Sequence, residues 1–295
     1  MNFDNYQDEA QITDQHPGKD EVSLVVPLLG LAGETGSLLT EYKKLLRDGS
    51  AYKVFSERIQ EELGDILWYL ANIATKAGLR LEDVARSNLR KIGNRWTPAP
   101  EVPLLPGSKF LDAEYPENER LPRTFAVTIR EEAGPTPRVR ISMNGEQIGS
   151  HLTDNAYKDD GYRFHDVFHL AFAAVLGWSP VARAIMKKKR KSNPRTDEVE
   201  DGGRAAVIDE AIAALAFDYA KKHAFLKGVT MLDYSILNTI KSLTEHLEVN
   251  VQSLHTWERA ILQAFDVWRL VVANRGGIVI GNLYEGTVTF QKAVE

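Results

Sequence analysis

FSERIQEELGDILWYLANIATK, residues 55–76, carries one period from end to end. Phe55, Ile59, Leu63, Ile66, Leu70 and Ile73 recur at helical spacing and define an apolar face. Inside it sits Glu61-Glu62-Leu63-Gly64-Asp65. At about 100° per residue, Glu62 falls on the edge of that face and Asp65 lies roughly 60° further round. Carboxylates at i and i+3 point the same way. Burying them bare is costly, so they call for a cation or a donor. A hard metal such as Mg²⁺ takes oxygen ligands and is often shared with substrate phosphates.

Working outward, a second long helix is expected over 28–46. Pro27 suits its start, because proline's fixed φ and missing donor cost little there. Leu28, Leu31, Leu38, Leu39, Tyr42, Leu45 and Leu46 form its stripe, and Asp48-Gly49 stops it. It carries Gly33-Glu34-Thr35-Gly36-Ser37, with Glu34 and Glu41 within about 20° of each other and Ser37 between. Packing the two helices together would gather Glu34, Glu41, Glu62 and Asp65 round one cleft. Four carboxylates that close repel unless divalent cations neutralise them, which suits phosphoryl chemistry. The competing reading is that these acids pair with lysines across a helix bundle. Shorter helices are expected over 2–13 and 81–95, with a loop at 16–20.

Taken in order, Tyr6-Gln7 with Ala10 and Thr13, Gly30-Leu31-Ala32-Gly33-Glu34-Thr35-Gly36, the run from Glu62 to Leu70, Asn88-Leu89-Arg90-Lys91, and Arg95-Trp96 resemble the MazG-type nucleoside triphosphate pyrophosphohydrolases. The resemblance covers about residues 3–97. It implies an all-α domain assembled as a homo-oligomer, dimer or tetramer. The implied reaction is hydrolysis of a nucleoside triphosphate between the α and β phosphates to NMP and pyrophosphate, clearing unwanted nucleotides. It also implies Mg²⁺, with Mn²⁺ as a substitute, held in an ExxE…ExxD pattern. By that pattern Glu34, Glu62 and Asp65 are metal ligands and catalytic residues, and Asn88 and Lys91 contact the substrate. Lys91 and Arg95 are chemically apt to steady phosphate charge. One position departs: the second Glu of ExxE is Ser37. A hydroxyl can ligate the metal but brings no charge, so Ser37 and Glu41 are auxiliary candidates. Glu61 is a candidate base, although it points away from the apolar face.

The chain of 295 residues is long enough for two domains, and 43% hydrophobic against 26% charged residues supports a sizeable core. A net charge of −5 gives no general attraction to nucleic acid or membranes. The absence of cysteine excludes disulfides and thiolate chemistry. No signal peptide and no unbroken apolar run of about 18 residues are seen, so a cytoplasmic protein is expected. Pro98, Pro100, Pro103, Pro106, Pro116 and Pro122 mark an extended linker over 98–122, dividing a MazG-like domain at 1–97 from a domain of unknown function at 123–295. The latter opens with a small β-hairpin (124–130 and 138–143, then the turn signal Asn144-Gly145), continues helical from about Gly161 to Arg275, and ends on a late strand near Gly276–Ile280. The fold class is therefore mainly α.

In the C-terminal half, His165 and His169 stand i, i+4 on one helix face, with Glu210 as a candidate third partner. Asp166 follows the first His where the zinc-protease motif has Glu, so this is not that motif. A hydrogen-bonded buried pair, a metal or catalytic site and a recognition pocket are all open. Lys187-Lys188-Lys189-Arg190-Lys191 is either a phosphate or nucleic-acid contact or a solvated helix end balanced by Asp197, Glu198, Glu200 and Asp201. Gly202-Gly203-Arg204 is a weak candidate for a phosphate-approaching turn. The principal expectation is a Mg²⁺-dependent pyrophosphohydrolase. The alternatives are a catalytically weak nucleotide sensor blunted by Ser37, a metal-dependent activity at the His165/His169 pair, and a nucleic-acid binder at 187–191.

Overall fold

The computed structural model describes residues 1–18, 20–96, 110–134, 137–154 and 156–293, the side chains of Asn94 and Trp96 excepted. The chain divides into two units, Met1–Gly93 and Asn94–Glu295.

The first unit is helical: α1 (Phe3–Ile12), α2 (Glu21–Asp48), α3 (Phe55–Lys76) and most of α4 (Leu81–Trp96). The apolar period of 55–76 matches α3 at both ends. α2 begins earlier than Pro27 suggests. Asp20 caps it, accepting from the Ser23 backbone N–H at 3.0 Å and the Ser23 hydroxyl at 2.8 Å, and Pro27 lies inside the helix. A proline there forfeits a single intrahelical bond, whereas the cap satisfies a donor that would otherwise be orphaned. α2 packs along α3, and Gly30 permits the close approach: a methyl there would sit 2.2 Å from the Tyr69 ring. Gln7 ties α1 to the α3–α4 turn, donating to Thr75 Oγ1 at 2.8 Å and accepting from the Leu81 N–H at 2.7 Å. The buried core is small, with Ala10, Ala71, Ala74 and Leu81 backed by Tyr6, Leu67 and Trp68.

With its 3₁₀ extension α2 spans Glu21–Ala51, which by length and composition is long and apolar enough to cross a membrane, at a mean hydropathy of 1.6 with 11% of that window buried. No uninterrupted apolar run exists, but the intervening glycines, serines and threonines dilute the leucines too little.

The second unit contains a five-stranded antiparallel sheet in the order β3-β2-β1-β4-β5, formed by β1 (Thr124–Glu132), β2 (Arg138–Met143), β3 (Glu146–Leu152), β4 (Gly276–Asn282) and β5 (Thr287–Gln291). The expected hairpin is present, with Val127 opposite Met143 and Ile129 opposite Ile141. It is part of a larger sheet: Asn144 and Gly145, both at positive φ, turn β2 back into β3, and β1 also pairs with β4, Val127 opposite Val279. Phe125, Val127, Ile129, Val139 and Ile141 point into the core. The same core holds α5 (Asp166–Leu176), every residue of which is buried, and α10 (Leu254–Ala273), both packed against β4 and β5. A helix apolar all round belongs at the centre of a core. α6 (Pro180–Ile185), α7 (Pro194–Val199), α8 (Gly203–Lys222) and α9 (Tyr234–Leu243) complete the unit.

Part of the stretch expected as linker is folded. Positions 97–109 lie outside the described residues, but 110–122 fold into the second unit. Leu121 is buried, and buried Asp112 accepts from the Leu121 N–H at 2.8 Å and from Arg183 Nη2 at 2.8 Å.

One cation of the basic run is structural. Arg190 is wholly buried, and Asp201 accepts from its backbone N–H at 2.7 Å, its Nε at 3.0 Å and its Nη2 at 2.7 Å. Gly202 follows because nothing larger fits: a Cβ there would lie 2.0 Å from the Glu198 carbonyl oxygen. That neighbour is backbone and cannot rotate away. Gly202→Ala is therefore expected to destabilise the second unit by about 2–4 kcal/mol, read as a lower urea midpoint.

Candidate functional site

α2 and α3 present the expected acids to one another. Glu34 and Glu62 are half-buried, while Asp65 is exposed. Desolvation pushes the Glu62 carboxyl above its ordinary range, and the charges of Glu34, Glu41, Asp65 and Glu61 push it further. Asp65 also lies near α1: after desolvation, its charge raises the Tyr6 phenol. Among the described residues, none of Glu34, Glu62 and Asp65 has an ion-pair partner. The lysine-pairing alternative thus fails for these three.

The other two are paired, but within their own helices rather than across the bundle. Glu41 is buried, with Lys44 Nζ at 2.6 Å on one oxygen and the Tyr52 hydroxyl donating to the other. The Lys44 and Tyr52 hydrogen bonds hold its carboxyl below the usual range. Glu61 turns outward to Arg58 at 2.9 Å, which removes it as a base. Ser37 is half-buried on α2.

Asn88 and Lys91 line a separate cavity of 640 Å³ with Leu79, Arg80 and Val84, and none of the four acids borders it. Lys91 has no ion-pair partner among the described residues. Arg95 is corrected. It belongs to the second unit, where it is buried, donating from Nη1 to Glu258 at 2.9 Å and from Nη2 to the Leu232 carbonyl at 2.5 Å. An arginine so held is not available to a phosphate.

The histidine pair is buried at the start of α5. His169 Nδ1 lies 2.8 Å from Asp209 Oδ1, and its Nε2 lies 3.2 Å from Glu210 Oε2. Burial alone would push the His169 imidazole down, but Asp209 and then Glu210 outweigh it and raise it to about 10. His165 Nδ1 lies 3.1 Å from the Tyr162 carbonyl, and its Nε2 lies 3.8 Å from Glu210 and 3.9 Å from Asp166. From the sequence Asp166 enters only as the departure from the zinc-protease motif, and Asp209 is not singled out. Asp209 could have been found, since it adjoins Glu210 and lies on the buried face of an otherwise alanine-rich helix.

Two family profiles match the chain: the MazG nucleotide pyrophosphohydrolase domain at residues 28–98 and the MazG C-terminal domain at residues 107–294. A curated relative, "Gene 37 protein" of Mycobacterium phage L5, is 35% identical over 101 residues, 32% of this chain and 89% of that protein. No solved structure matches.

Proposed function

The chain belongs to the MazG family, and from that premise we propose that its first unit is a divalent-metal-dependent nucleoside triphosphate pyrophosphohydrolase, with Mg²⁺ as the working ion and Mn²⁺ a substitute. One observation carries this reading. Glu34, Glu62 and Asp65 have no ion-pair partner among the described residues, and desolvation, then the charges of Glu34, Glu41, Asp65 and Glu61, raise the proton affinity of Glu62. Like charges held together at a cost to the fold mark a site shaped for an absent cation. The donor set is all oxygen, which fits a hard ion.

Glu34, Glu62 and Asp65 would hold the ion. When bound, it acts as a Lewis acid on phosphate oxygens. Glu41 serves behind them as a positioning residue, its oxygens committed to Lys44 and Tyr52. Lys91, with no ion-pair partner among the described residues, offers a cation to the triphosphate, and Asn88, on the same face of α4, offers an amide, both from a cavity that none of the four acids borders. Water replaces the bridging oxygen at the α phosphorus, and NMP and pyrophosphate leave. Removing divalent ions with EDTA is expected to abolish pyrophosphate release, and adding Mg²⁺ or Mn²⁺ to restore it. Release that is indifferent to EDTA would overturn the proposal.

The same unit is proposed to work as a homo-oligomer in the cytoplasm. Leu28, Leu29, Leu39 and Leu46 of α2 are exposed by 52, 67, 64 and 86%. A row of leucines this open marks an interface. The helix also carries Glu34 and packs along α3, which favours a second copy over lipid as its cover. Light scattering should return a multiple of the chain mass; a monomer at micromolar concentration would remove this reading.

A further inference from the structure

We propose that His165, Asp166, His169 and Glu210 form a second metal centre, in the second unit, for a first-row divalent transition ion with mixed nitrogen and carboxylate ligands. It does not rest on the pyrophosphohydrolase reading, because none of its residues belongs to the first unit.

The argument begins with where the imidazole protons are. His165 Nδ1 faces the Tyr162 carbonyl oxygen, which can only accept, so Nδ1 carries the hydrogen. His169 Nδ1 faces the Asp209 carboxylate and is fixed the same way. With Nδ1 carrying a hydrogen on both rings, it is the Nε2 atoms that face carboxylate oxygens, 3.2 Å from Glu210 for His169 and 3.8 Å for His165. Nitrogen and carboxylate oxygens facing one another need a positive charge between them, either a proton on Nε2 or a metal ion. A proton on His169 Nε2 would satisfy Glu210 and nothing else. It would leave Asp166, which is only 4% exposed and accepts no hydrogen bond from any described residue. A buried carboxylate without a donor is costly. One metal ion answers all four groups.

The geometry is within reach of one. Ligand atoms of His165, Asp166 and His169 lie within 4.8 Å of one another. Metal–nitrogen bonds of about 2.0–2.1 Å place neighbouring ligands roughly 3–4 Å apart, so small side-chain rotations close the set. The support behind His169 is also that of a metal site: Asp209 holds its Nδ1 and is held in turn by the Ser179 hydroxyl at 2.5 Å and the Val181 N–H at 3.1 Å. Glu210, 45% exposed in its side chain, gives the cluster its opening. The same face of α8 continues through Ala214, Phe217 and Lys221 along a cavity of 560 Å³, whose wall includes Tyr162, stacked on His165 at 4.8 Å. Two imidazoles select Zn²⁺ or Co²⁺ over Mg²⁺, which separates this centre chemically from the all-oxygen site.

The test uses the full chain, stripped with chelator and titrated with Co²⁺ and with Zn²⁺ in millimolar Mg²⁺. One transition ion per chain is expected, with a Co²⁺ visible spectrum that Zn²⁺ displaces and Mg²⁺ does not. Glu62→Gln should leave that stoichiometry unchanged. Asp166→Asn and His169→Gln should weaken binding at least about 100-fold, and Asp209→Asn by about 10–100-fold. If the buried variants do not fold, half-exposed Glu210→Gln alone should weaken binding and alter the Co²⁺ spectrum. No stoichiometric binding, or binding unaffected by Glu210→Gln, overturns the proposal and leaves a protonated His169 bridging Asp209 and Glu210.

Discussion

Glu62→Gln is expected to reduce pyrophosphate release by about 10²–10³-fold while leaving the protein at least as stable as the parent. The two halves of this expectation have one cause. Glu62 is the acid whose ionisation the folded chain resists, through desolvation and then through the charges of Glu34, Glu41, Asp65 and Glu61. Removing its charge relieves that repulsion, so the urea midpoint should hold or rise. The same change takes one of three anionic ligands from the proposed ion. Losing one electrostatic contact to the reacting group is worth about 2.7–4 kcal/mol in comparable sites, which is the quoted loss of rate. Loss of activity with gain of stability is the signature of a functional carboxylate; a structural one loses both. Glu61→Gln is the matched control one residue away. Its carboxylate pairs only with Arg58 on an exposed face, where an ion pair contributes about 0–1 kcal/mol, so rate and midpoint should hardly move. Full activity in Glu62→Gln across a panel of NTPs and dNTPs would sink the assignment.

What the sequence disclosed followed from how local each signal was. The helix at 55–76 is legible because its apolar period and its stops lie inside one segment, and the placement of Glu62 and Asp65 comes with it. The start of α2 was misread because two local signals competed, Pro27 and the Asp20 cap, and the cap satisfied more of the backbone. The hairpin was visible from alternation and Asn144-Gly145, but the β1–β4 pairing joins residues some 150 positions apart, as in Val127 with Val279, and no local pattern announces it. Among the site residues, Glu41 and Arg95 illustrate the same limit. Helical spacing puts Glu41 beside Glu34, yet Tyr52, beyond the end of α2, takes up its oxygen. Arg95 reads as a phosphate ligand by chemistry, but Glu258 claims it from 163 positions away. Spacing shows which face a side chain occupies; it does not show which distant partner already holds it.

Asp201→Asn is expected to be the most damaging single change in the second unit, lowering its stability by about 3–5 kcal/mol. Asp201 is wholly buried and accepts three hydrogen bonds from Arg190, and Arg183 Nε lies 3.7 Å from it. Both arginines are themselves buried, so the aspartate is the near countercharge of two guanidinium groups. An amide of the same shape removes that charge and offers a single acceptor oxygen in place of two. Removing one partner of a buried pair leaves an uncompensated charge in low dielectric, which costs far more than the pair contributes when whole. Glu248, 2.6 Å from Arg190 Nη2, and Asp112, 2.8 Å from Arg183 Nη2, keep the loss short of complete unfolding. Lys191→Gln, an exposed cation next in the same basic run, should cost nothing measurable. The buried indoles of Trp178, Trp257 and Trp268 give the readout, since all three belong to this unit's core. A shift of their fluorescence transition in urea for Asp201→Asn, with none for Lys191→Gln, would establish that the run of five cations is divided by burial into a structural arginine and a solvated fringe. Equal and small effects would instead mean that Glu248 and Asp112 suffice to hold both guanidinium groups.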